Sequence, residues 1–406
     1  MKKRIIAASM MALTLVAGLT SCSSDGDIVY TPVSLAVEVP MGIDDVQFSN
    51  GLVTLTNVNT NEVFTTSQVT IEDGKLNVNL EEIPIGTYNV KIEGNLAFVK
   101  DGVAGNTKVD QTIENVSITS NDNTIKASIN TFTANGGFVI SEIFFTGTTT
   151  AEGEQYSNDQ YFIISNNSDV TLYADSVAIV ESLFLTTTKY DYTPDVMNDS
   201  MSVDAIYMIP GDGKSVPVEP GKSLVIALNG KDHREANPQS FDLSGADFEF
   251  YDVSTNSYKD EDNESVPNLD KWYCYTASLF SLHNRGYKAY AIAKMKTDKQ
   301  TYLDKNYYTP GYNMVIAGKS YGRTSKGYKL ANSWILDAVN LSVESKYEWQ
   351  VTSTALDAGW AHCGSIDMDK TRYNKAVVRK TQDGKWIDTN NSTNDFESDA
   401  QPSLLK

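Results

Sequence analysis

Apolar and polar residues alternate along most of the chain with the period of extended strands. Clear examples lie at residues 33–39, 51–58 and 69–80, and a period of two places successive side chains on opposite faces of a sheet. No long stretch shows the i, i+3, i+4, i+7 spacing of an amphipathic helix. The 22 tyrosines fit the same picture, because extended structure favours tyrosine. The pattern predicts an all-β protein.

Residues 33–133 are predicted to form one small β-sandwich. An Asp-Gly pair at 73–74 lies between alternating stretches, which is a strong signal for a β-hairpin. Tyr88, Val90 and Ile92 share one face of the next strand. The pattern Pro-x-Gly-x-Tyr-x-Val-x-Ile around that strand resembles the last hairpin of prealbumin-like and carboxypeptidase-regulatory-like sandwiches. The resemblance implies a spacer domain.

Residues 134–406 are predicted to form a second, larger β-domain. A buried strand is predicted at 138–145, because both of its faces are apolar except at Ser141 and Glu142. Two further features follow it, namely a strand that ends in Asn at 166–167 and a Pro-Gly turn before the apolar run at 223–228.

This succession resembles a lamin-tail domain, and residues 334–339 and 379–396 resemble the closing strands of that family. The lamin-tail sandwich is compact, whereas the matching pieces here are spread from Phe138 to Phe396. We therefore predict an expanded lamin-tail-like sandwich with a subdomain inserted at about residues 251–330. Within the insertion, further strands are predicted at 288–295 and 312–317.

The first 21 residues are typical of a lipoprotein signal peptide. A basic start precedes an apolar run at 5–19, which is too short to span a bilayer comfortably. The run ends in Leu-Thr-Ser-Cys at 19–22, which resembles a lipobox. Cys22 is therefore the predicted site of the lipid anchor. The triacyl group of such an anchor supplies the several acyl chains that stable membrane binding needs. The alternative is an ordinary secretory signal with an incidental cysteine.

Two further resemblances concern location. Ser-Ser-Asp-Gly-Asp at 23–27 resembles the acidic export signal of Bacteroides-group lipoproteins on the outer face of the outer membrane, although residues 22–32 also suit a plain flexible tether. The pattern Asp-His-x3-Asn-x2-Ser-Phe-Asp-Leu-Ser-x-Ala-Asp-Phe-Glu at 232–249 resembles an uncharacterised family of Bacteroidetes outer-membrane lipoproteins. That family implies a surface lipoprotein near TonB-dependent transport systems, and it implies no known chemistry.

The net charge of the chain limits the classes of partner that it can bind. The chain has 33 Lys and Arg against 52 Asp and Glu, for a net charge of −19. Such a chain repels phosphate backbones, so we predict no nucleic-acid partner. The charge also disfavours electrostatic docking of the protein on anionic lipid.

The usual catalytic motifs, His-Glu-x-x-His and Gly-x-Ser-x-Gly, are missing. The candidate ligand-binding residues are His233, Asn237, Asp242 and Asp247. The alternatives are a loop tied down by side-chain to backbone hydrogen bonds, or a zinc site built from His233 with Asp232 or Asp242. The acidic run at 259–264 is either a Ca²⁺-binding loop or a solvated one.

Two sets of residues are candidates for covalent modification. Asp-Ser-Val around Ser176 and Asp-Ser-Met around Ser200 resemble the O-glycosylation site of exported Bacteroides proteins, and the alternative is a bare serine in a loop. An oxidising compartment permits a disulfide between Cys274 and Cys363. The alternative for these two residues is a pair of separate buried thiols.

The tyrosine-rich stretch at 287–328 is the best candidate for a binding surface, since exposed aromatic rings give a large, rigid contact area. The alternative is ordinary packing of tyrosine in strands. We predict a non-enzymatic surface lipoprotein with no cofactor and no metal, which acts as a ligand-binding or accessory component of an outer-membrane TonB-dependent transport system. The alternatives are a surface hydrolase of unfamiliar type and an adhesion or scaffold protein.

Overall fold

The computed structural model describes residues 29–38, 43–72, 75–100, 103–120, 123–128, 137–276 and 278–405. In the described structure, strands account for 47% and helices for 7%, which confirms the predicted all-β class. The predicted signal peptide, Cys22 and the Asp-Gly pair at 73–74 lie outside the described residues.

The N-terminal part contains two four-stranded sheets, with the orders β4-β5-β1-β8 and β3-β2-β6-β7. Their strands are β1 (Tyr30–Glu38), β2 (Ile43–Asn57), β3 (Val63–Thr66), β4 (Val69–Glu72), β5 (Lys75–Pro84), β6 (Gly86–Lys100), β7 (Val103–Ile118) and β8 (Thr124–Ser128). Strands β4 and β5 pair antiparallel with Glu72 opposite Lys75, which agrees with the predicted hairpin.

One core joins the two sheets of this part. Tyr88, Val90 and Ile92 are all buried in it, which confirms the face predicted from their spacing. The Tyr88 hydroxyl donates to the carbonyl oxygen of Pro84 over 2.8 Å. Burying the ring while its polar end keeps a partner avoids the cost of an unsatisfied hydroxyl.

The second part is larger and begins at residue 138. Its strands are β9 (Phe138–Phe144), β10 (Thr148–Thr149), β11 (Gln155–Tyr156), β12 (Tyr161–Asn166), β13 (Leu172–Tyr173), β14 (Val177–Ser182), β15 (Ser200–Met208), β16 (Pro217–Val218), β17 (Ser223–Ala227), β18 (Phe248–Glu249), β19 (Asp270–Cys274), β20 (Ala289–Lys294), β21 (Tyr307–Tyr308), β22 (Gly311–Ile316), β23 (Lys319–Thr324), β24 (Gly327–Ala331), β25 (Ile335–Ser342), β26 (Ala361–His362), β27 (Ala376–Arg379), β28 (Thr381–Gln382), β29 (Lys385–Trp386) and β30 (Phe396–Ala400). Its α-helices are α1 (Lys299–Asn306) and α2 (Ser392–Asp395), and short 3₁₀ turns lie at His233–Glu235, Asn332–Trp334, Glu344–Lys346 and Lys370–Arg372.

Two large sheets enclose the main core of this second part. The six-stranded sheet has the order β18-β17-β12-β9-β27-β30, and the eight-stranded sheet has the order β21-β24-β15-β14-β20-β25-β26, with β19 also paired to β15. Phe138 and Ile140 of β9 pack in one cluster with Ile179 of β14 and Tyr207 of β15. The remaining sheets in this part are two-stranded ribbons within the described residues.

Both large sheets are also covered on their outer faces. Tyr302 of α1 packs with Val180 and Val203 on the outer face of the eight-stranded sheet. Phe241 and Leu243 belong to a cluster on the outer face of the six-stranded sheet. Because both faces are covered, every residue of β9 and β12 is buried, which confirms the prediction for residues 138–145.

The segment at about 251–330 is not a separate inserted subdomain, and that prediction is corrected. Strand β20 lies between β14 and β25 in the middle of the eight-stranded sheet, and β24 pairs with β15 in the same sheet. The reason is that β20 is apolar on both faces. Tyr290 and Ile292 join the main core, and its alanines join the outer cluster. The strands predicted at 288–295 and 312–317 are β20 and β22.

Arg379 of β27 lies at the centre of a buried ionic network. Its guanidinium contacts Asp337 at 2.5 Å, Asp395 at 3.4 Å and Asp388 at 3.6 Å. Its Nε also donates to the carbonyl oxygen of Ile140 over 2.7 Å. One cation therefore links β9, β25, β27 and the segment around α2.

Candidate functional site

His233, the first candidate ligand-binding residue, is fully buried in a loop. Its Nε2 lies 3.0 Å from the carbonyl oxygen of Asn229 and its Nδ1 lies 2.9 Å from the Tyr156 hydroxyl. Because a carbonyl oxygen only accepts, Nε2 carries the hydrogen and Nδ1 accepts from Tyr156. Burial lowers the pKa of His233 and so favours this neutral form. Both ring nitrogens hold the loop, and neither is left to bind a metal.

The other three candidates make separate contacts. The Asn237 side chain donates to Thr148 Oγ1 over 2.8 Å. Asp242 accepts from Arg234 over 3.1 Å, and Asp247 accepts from a backbone N–H of β17 over 2.8 Å. These hydrogen bonds go to different parts of the chain and correspond to the alternative in which the four residues tie down a loop.

The acidic run at 259–264 also makes loop contacts. Asp260 accepts from the Asp252 backbone N–H over 2.8 Å, and Glu261 pairs with Lys231. Among the residues that the structure describes, no group of three or more His, Cys, Asp or Glu side chains is placed to hold a metal ion.

A cluster of five aromatic rings lies at the surface, and we call it the aromatic platform. Its members are Phe184, Tyr190, Tyr192, Tyr312 and Trp349. Phe184 and Tyr192 stack with ring centroids 3.7 Å apart, and Tyr190 and Tyr312 stack at 4.7 Å. The rings of Tyr192 and Trp349 lie 5.9 Å apart and nearly parallel. Each such contact contributes about 0.5–1.5 kcal/mol beyond area burial.

The platform has a fixed floor and an open upper layer. Phe184 and Trp349 are buried, whereas the three tyrosines are half-buried. The Trp349 Nε1 donates to the carbonyl oxygens of Leu185 and Thr188 over 2.9 and 3.1 Å. These bonds fix the loop that carries Tyr190 and Tyr192, so the tyrosine rings are presented to solvent in a defined arrangement.

A projecting hairpin adjoins the platform through Tyr312. Strands β22 and β23 pair with each other and, apart from a bridge at the base of β22, with no other strand of the described chain. Met314 lies opposite Tyr321, and Ile316 opposite Lys319. Tyr321 is 40% and Ile316 49% exposed. The hairpin thus adds accessible apolar and aromatic area beside the platform.

The predicted tyrosine surface at 287–328 separates into two groups. Four tyrosines belong to the core and correspond to the alternative of ordinary packing, namely Tyr287, Tyr290, Tyr302 and Tyr328. Four are exposed or half-buried, namely Tyr307, Tyr308, Tyr312 and Tyr321. Sequence reasoning missed Phe184, Tyr190, Tyr192 and Trp349, although the Tyr-x-Tyr spacing at 190–192 was a usable signal.

The candidate glycosylation serines differ in setting. Ser176 is half-buried and lines a cavity of about 450 Å³ together with Lys271, Trp272 and Lys299. Ser200 is half-buried at the start of β15, where its partner in the sheet is Ala331. Glycosylation at either residue stays a prediction.

Cys274 and Cys363 are both free thiols. Cys363 is fully buried and Cys274 half-buried, and burial raises the pKa of both thiols. This corresponds to the second alternative, in which the two residues act as separate, unreactive thiols.

We expect the free energy of unfolding to fall in acid because of His283. Burial is the main cause that lowers the pKa of His283 to about 4. The neutral ring is therefore favoured in the folded state, so its stabilisation is complete above pH 6.5 and lost as the pH falls towards 4. We expect about 2–3 kcal/mol of unfolding free energy to be lost over this window.

The measurement is urea unfolding of the wild type and a His283→Asn variant between pH 4 and 7. The asparagine Oδ1 can replace Nδ1, which accepts from the backbone N–H of Tyr287 over 3.3 Å. The variant should show a flatter profile than the wild type, and equal slopes would assign the acid sensitivity to other groups.

The fold has a counterpart among solved structures. The crystal structure of a DUF4876 family protein from Bacteroides thetaiotaomicron VPI-5482 is similar with a TM-score of 0.53 and 19% sequence identity, over 92% of this chain and 98% of that one. Residues 219–403 match the family model of DUF4876, a protein of unknown function. A search of curated proteins gives no match.

These findings support the predicted resemblance to an uncharacterised family from Bacteroidetes. The DUF4876 match begins just before β17 and ends after β30. It includes the loop of His233, the β22–β23 hairpin and Trp349, whereas Tyr190 and Tyr192 lie before it. In the described part of the chain, no helix has the length and apolar character needed to cross a bilayer.

Proposed function

We propose that this protein is a non-enzymatic surface lipoprotein that binds a ligand through the aromatic platform, as an accessory component of an outer-membrane TonB-dependent transport system. The observation that carries the proposal is the platform itself, in which half-buried tyrosines stack over a fixed aromatic floor. The lipid anchor on Cys22 and the outer-membrane location rest on the sequence of the leader.

The chemistry of the platform favours a glycan as its ligand. A sugar ring has a face of C–H groups that packs on an aromatic ring, and it has hydroxyls at its rim. Burial raises the pKa of Tyr192, and the neighbouring Tyr312 and Tyr190 raise it further, so its hydroxyl stays protonated at neutral pH. Lys189, with its Nζ 5.7 Å from the Trp349 ring centroid, adds a further hydrogen-bond donor at the edge.

The geometry gives less support to a surface hydrolase, because both nitrogens of His233 are engaged in loop contacts. Adhesion or scaffolding is a second candidate function. It is favoured by the exposed hairpin next to the platform, where Val315 is 68% exposed, since accessible apolar residues are typical of protein contact surfaces.

We expect Tyr190→Ala and Tyr312→Ala each to weaken glycan affinity about tenfold, because each removes one ring of the platform. A tenfold change corresponds to about 1.4 kcal/mol of binding free energy. Calorimetric titration of the full lipidated chain in detergent with the oligosaccharides retained on a glycan array measures the effect. Tyr258→Ala is the matched control, since Tyr258 is 51% exposed and takes part in none of the ring contacts of the platform. Unchanged affinity in both platform variants, or no retained glycan, would contradict the proposal.

The accessory role is tested separately. The tagged, lipidated protein is purified from its native outer membrane and the co-purifying proteins are identified by mass spectrometry. We expect a TonB-dependent transporter in stoichiometric amount. Recovery of the protein alone would remove the transport part of the proposal and leave glycan binding to the first experiment.

A further inference from the structure

Three ionisable side chains from neighbouring strands meet inside the second part of the chain, and we call them the buried triad. They are Glu181 of β14, Asp204 of β15 and Lys288, which directly precedes β20. The Lys288 Nζ lies 2.9 Å from Asp204 Oδ2 and 3.5 Å from Glu181 Oε1. The three side chains are 7%, 6% and 2% exposed, in the order Lys288, Asp204 and Glu181. An amine and two carboxyl groups are thus enclosed together.

The strand register explains this meeting. Strand β14 pairs with β15 on one side and with β20 on the other. Glu181 lies opposite Ala205 of β15 and Tyr290 of β20, and the register of the first pair shifts at Glu181. The shift places Asp204 within reach of the same position, and Lys288 extends to it from the start of β20. The backbone therefore holds the three groups in place without a flexible loop.

The surroundings of the triad hold Glu181 in position. The Tyr290 hydroxyl donates to Glu181 Oε2 over 2.6 Å, and the ring of Tyr275 lies 5.4 Å from the Lys288 Nζ. Within the described part of the chain, Oδ1 of Asp204 is buried and has no hydrogen-bond partner. An ordinary buried ion pair needs its remaining lone pairs satisfied to offset desolvation. Asp204 Oδ1 has no such partner, so the Lys288–Asp204 contact is poorly stabilised as a plain ion pair.

We propose that Lys288 and Asp204 are joined by an intramolecular isopeptide bond between Nζ and Cγ, with Glu181 as the proton carrier.

The reaction is a condensation that balances within the triad. The Lys288 ammonium gives a proton to Asp204, and the free amine then attacks Cγ of the protonated carboxyl group. As the N–C bond forms, Glu181 accepts a proton from the nitrogen and passes it to the departing hydroxyl. One water leaves, the amide remains, and Glu181 is again ionised. No oxidant, reductant or other co-reactant takes part.

Burial and the neighbouring charges act differently on the two reacting groups. Burial raises the pKa of Asp204 to about 7, against the opposite effect of Lys288 and with the help of Glu181. The protonated carboxyl, which is the form that an amine attacks, is therefore populated near neutral pH. Burial opposes a charged Lys288, but the two carboxylates raise its pKa, so the ammonium must lose its proton inside the triad. Amide formation then removes two buried charges.

A second Lys–Asp pair lacks these features and serves as a control. Lys271 contacts Asp252, but its side chain is 34% exposed. The Lys271 side chain is therefore accessible to solvent, unlike that of Lys288. We expect no bond between Lys271 and Asp252.

The test is the mass of the full chain after denaturation, compared between the wild type and variants that share the same anchor. After correction for each substitution, the wild type should be lighter by one water, about 18 Da, than Lys288→Arg, Asp204→Ala and Glu181→Gln. Lys271→Arg should keep the deficit of the wild type. Protease digestion of the wild type should release a linked pair of peptides that contain Lys288 and Asp204.

A wild type with its full mass and unlinked Lys288 and Asp204 peptides would overturn the proposal and leave an ion pair only. A deficit that persists in Lys288→Arg would place the lost water elsewhere and also overturn it. The wild-type digestion decides the matter even where a variant fails to fold.

Discussion

Replacing Arg379 with methionine will lower the free energy of unfolding by about 3–5 kcal/mol, because removing one partner of a buried ionic network leaves uncompensated charges. Arg379 is 1% exposed and is the cation that faces Asp337, Asp388 and Asp395, which are each 2% exposed. Methionine keeps much of the volume of the side chain, so the loss reports on charge more than on packing.

The defect should depend on pH. Burial raises the pKa of Asp395 to about 7, although Arg379 lowers it. Without Arg379 this carboxyl will be held more firmly in its protonated form. A folded-state pKa above the unfolded value stabilises the fold at low pH, and the contribution is lost as the pH rises through the folded value. Arg379→Met should therefore be closer to wild type at pH 5 than at pH 8.

Urea unfolding at both pH values measures the difference. Arg234→Met is the matched control, because Arg234 forms an exposed ion pair with Asp232, and exposed pairs contribute little. An equal loss of stability at pH 5 and pH 8 would show that the cost comes from packing and not from the three carboxyl groups.

Replacing Trp349 with alanine will cost about 3–5 kcal/mol, the range for deleting a large buried aromatic side chain. Trp349 is 9% exposed, packs in the outer core of the eight-stranded sheet and donates to two carbonyl oxygens. The substitution also removes the floor under Tyr192, so glycan affinity should fall with stability.

Tyr190→Ala separates the two effects, because Tyr190 is half-buried and stacks on Tyr312 in the upper layer. Chemical unfolding and calorimetric titration should show weaker binding with little loss of stability in Tyr190→Ala, and loss of both in Trp349→Ala. A Trp349→Ala variant with wild-type stability would contradict the assignment of this ring to the core.

The sequence predicts best what depends on neighbouring residues. The face shared by Tyr88, Val90 and Ile92 follows from a period of two, and the double burial of β9 follows from its apolar character on both faces. The prediction of an inserted subdomain at about 251–330 is wrong, because the apolar sequence of β20 does not indicate which strands it pairs with. Pairing partners are set by tertiary packing.

The candidate site is less predictable for the same reason. The aromatic platform joins residues 184–192, Tyr312 and Trp349, which are distant in sequence. No local pattern states that they meet. The role of His233 is also not predictable from the sequence, because it depends on two hydrogen bonds that composition and spacing do not reveal. The buried triad likewise needs the register of three strands.

Strand β9 draws its neighbours from both ends of the second part, since it pairs with β12 and with β27. The carbonyl oxygen of Ile140 receives its bond from Arg379, 239 residues later. Pairing over such distances in sequence makes folding slow, because the entropy of closing a long loop is lost before the stabilising contacts form. A nascent chain that stops short of β27 leaves an apolar strand edge open to aggregation. The second part of the chain can therefore complete its fold only after β27 has been synthesised.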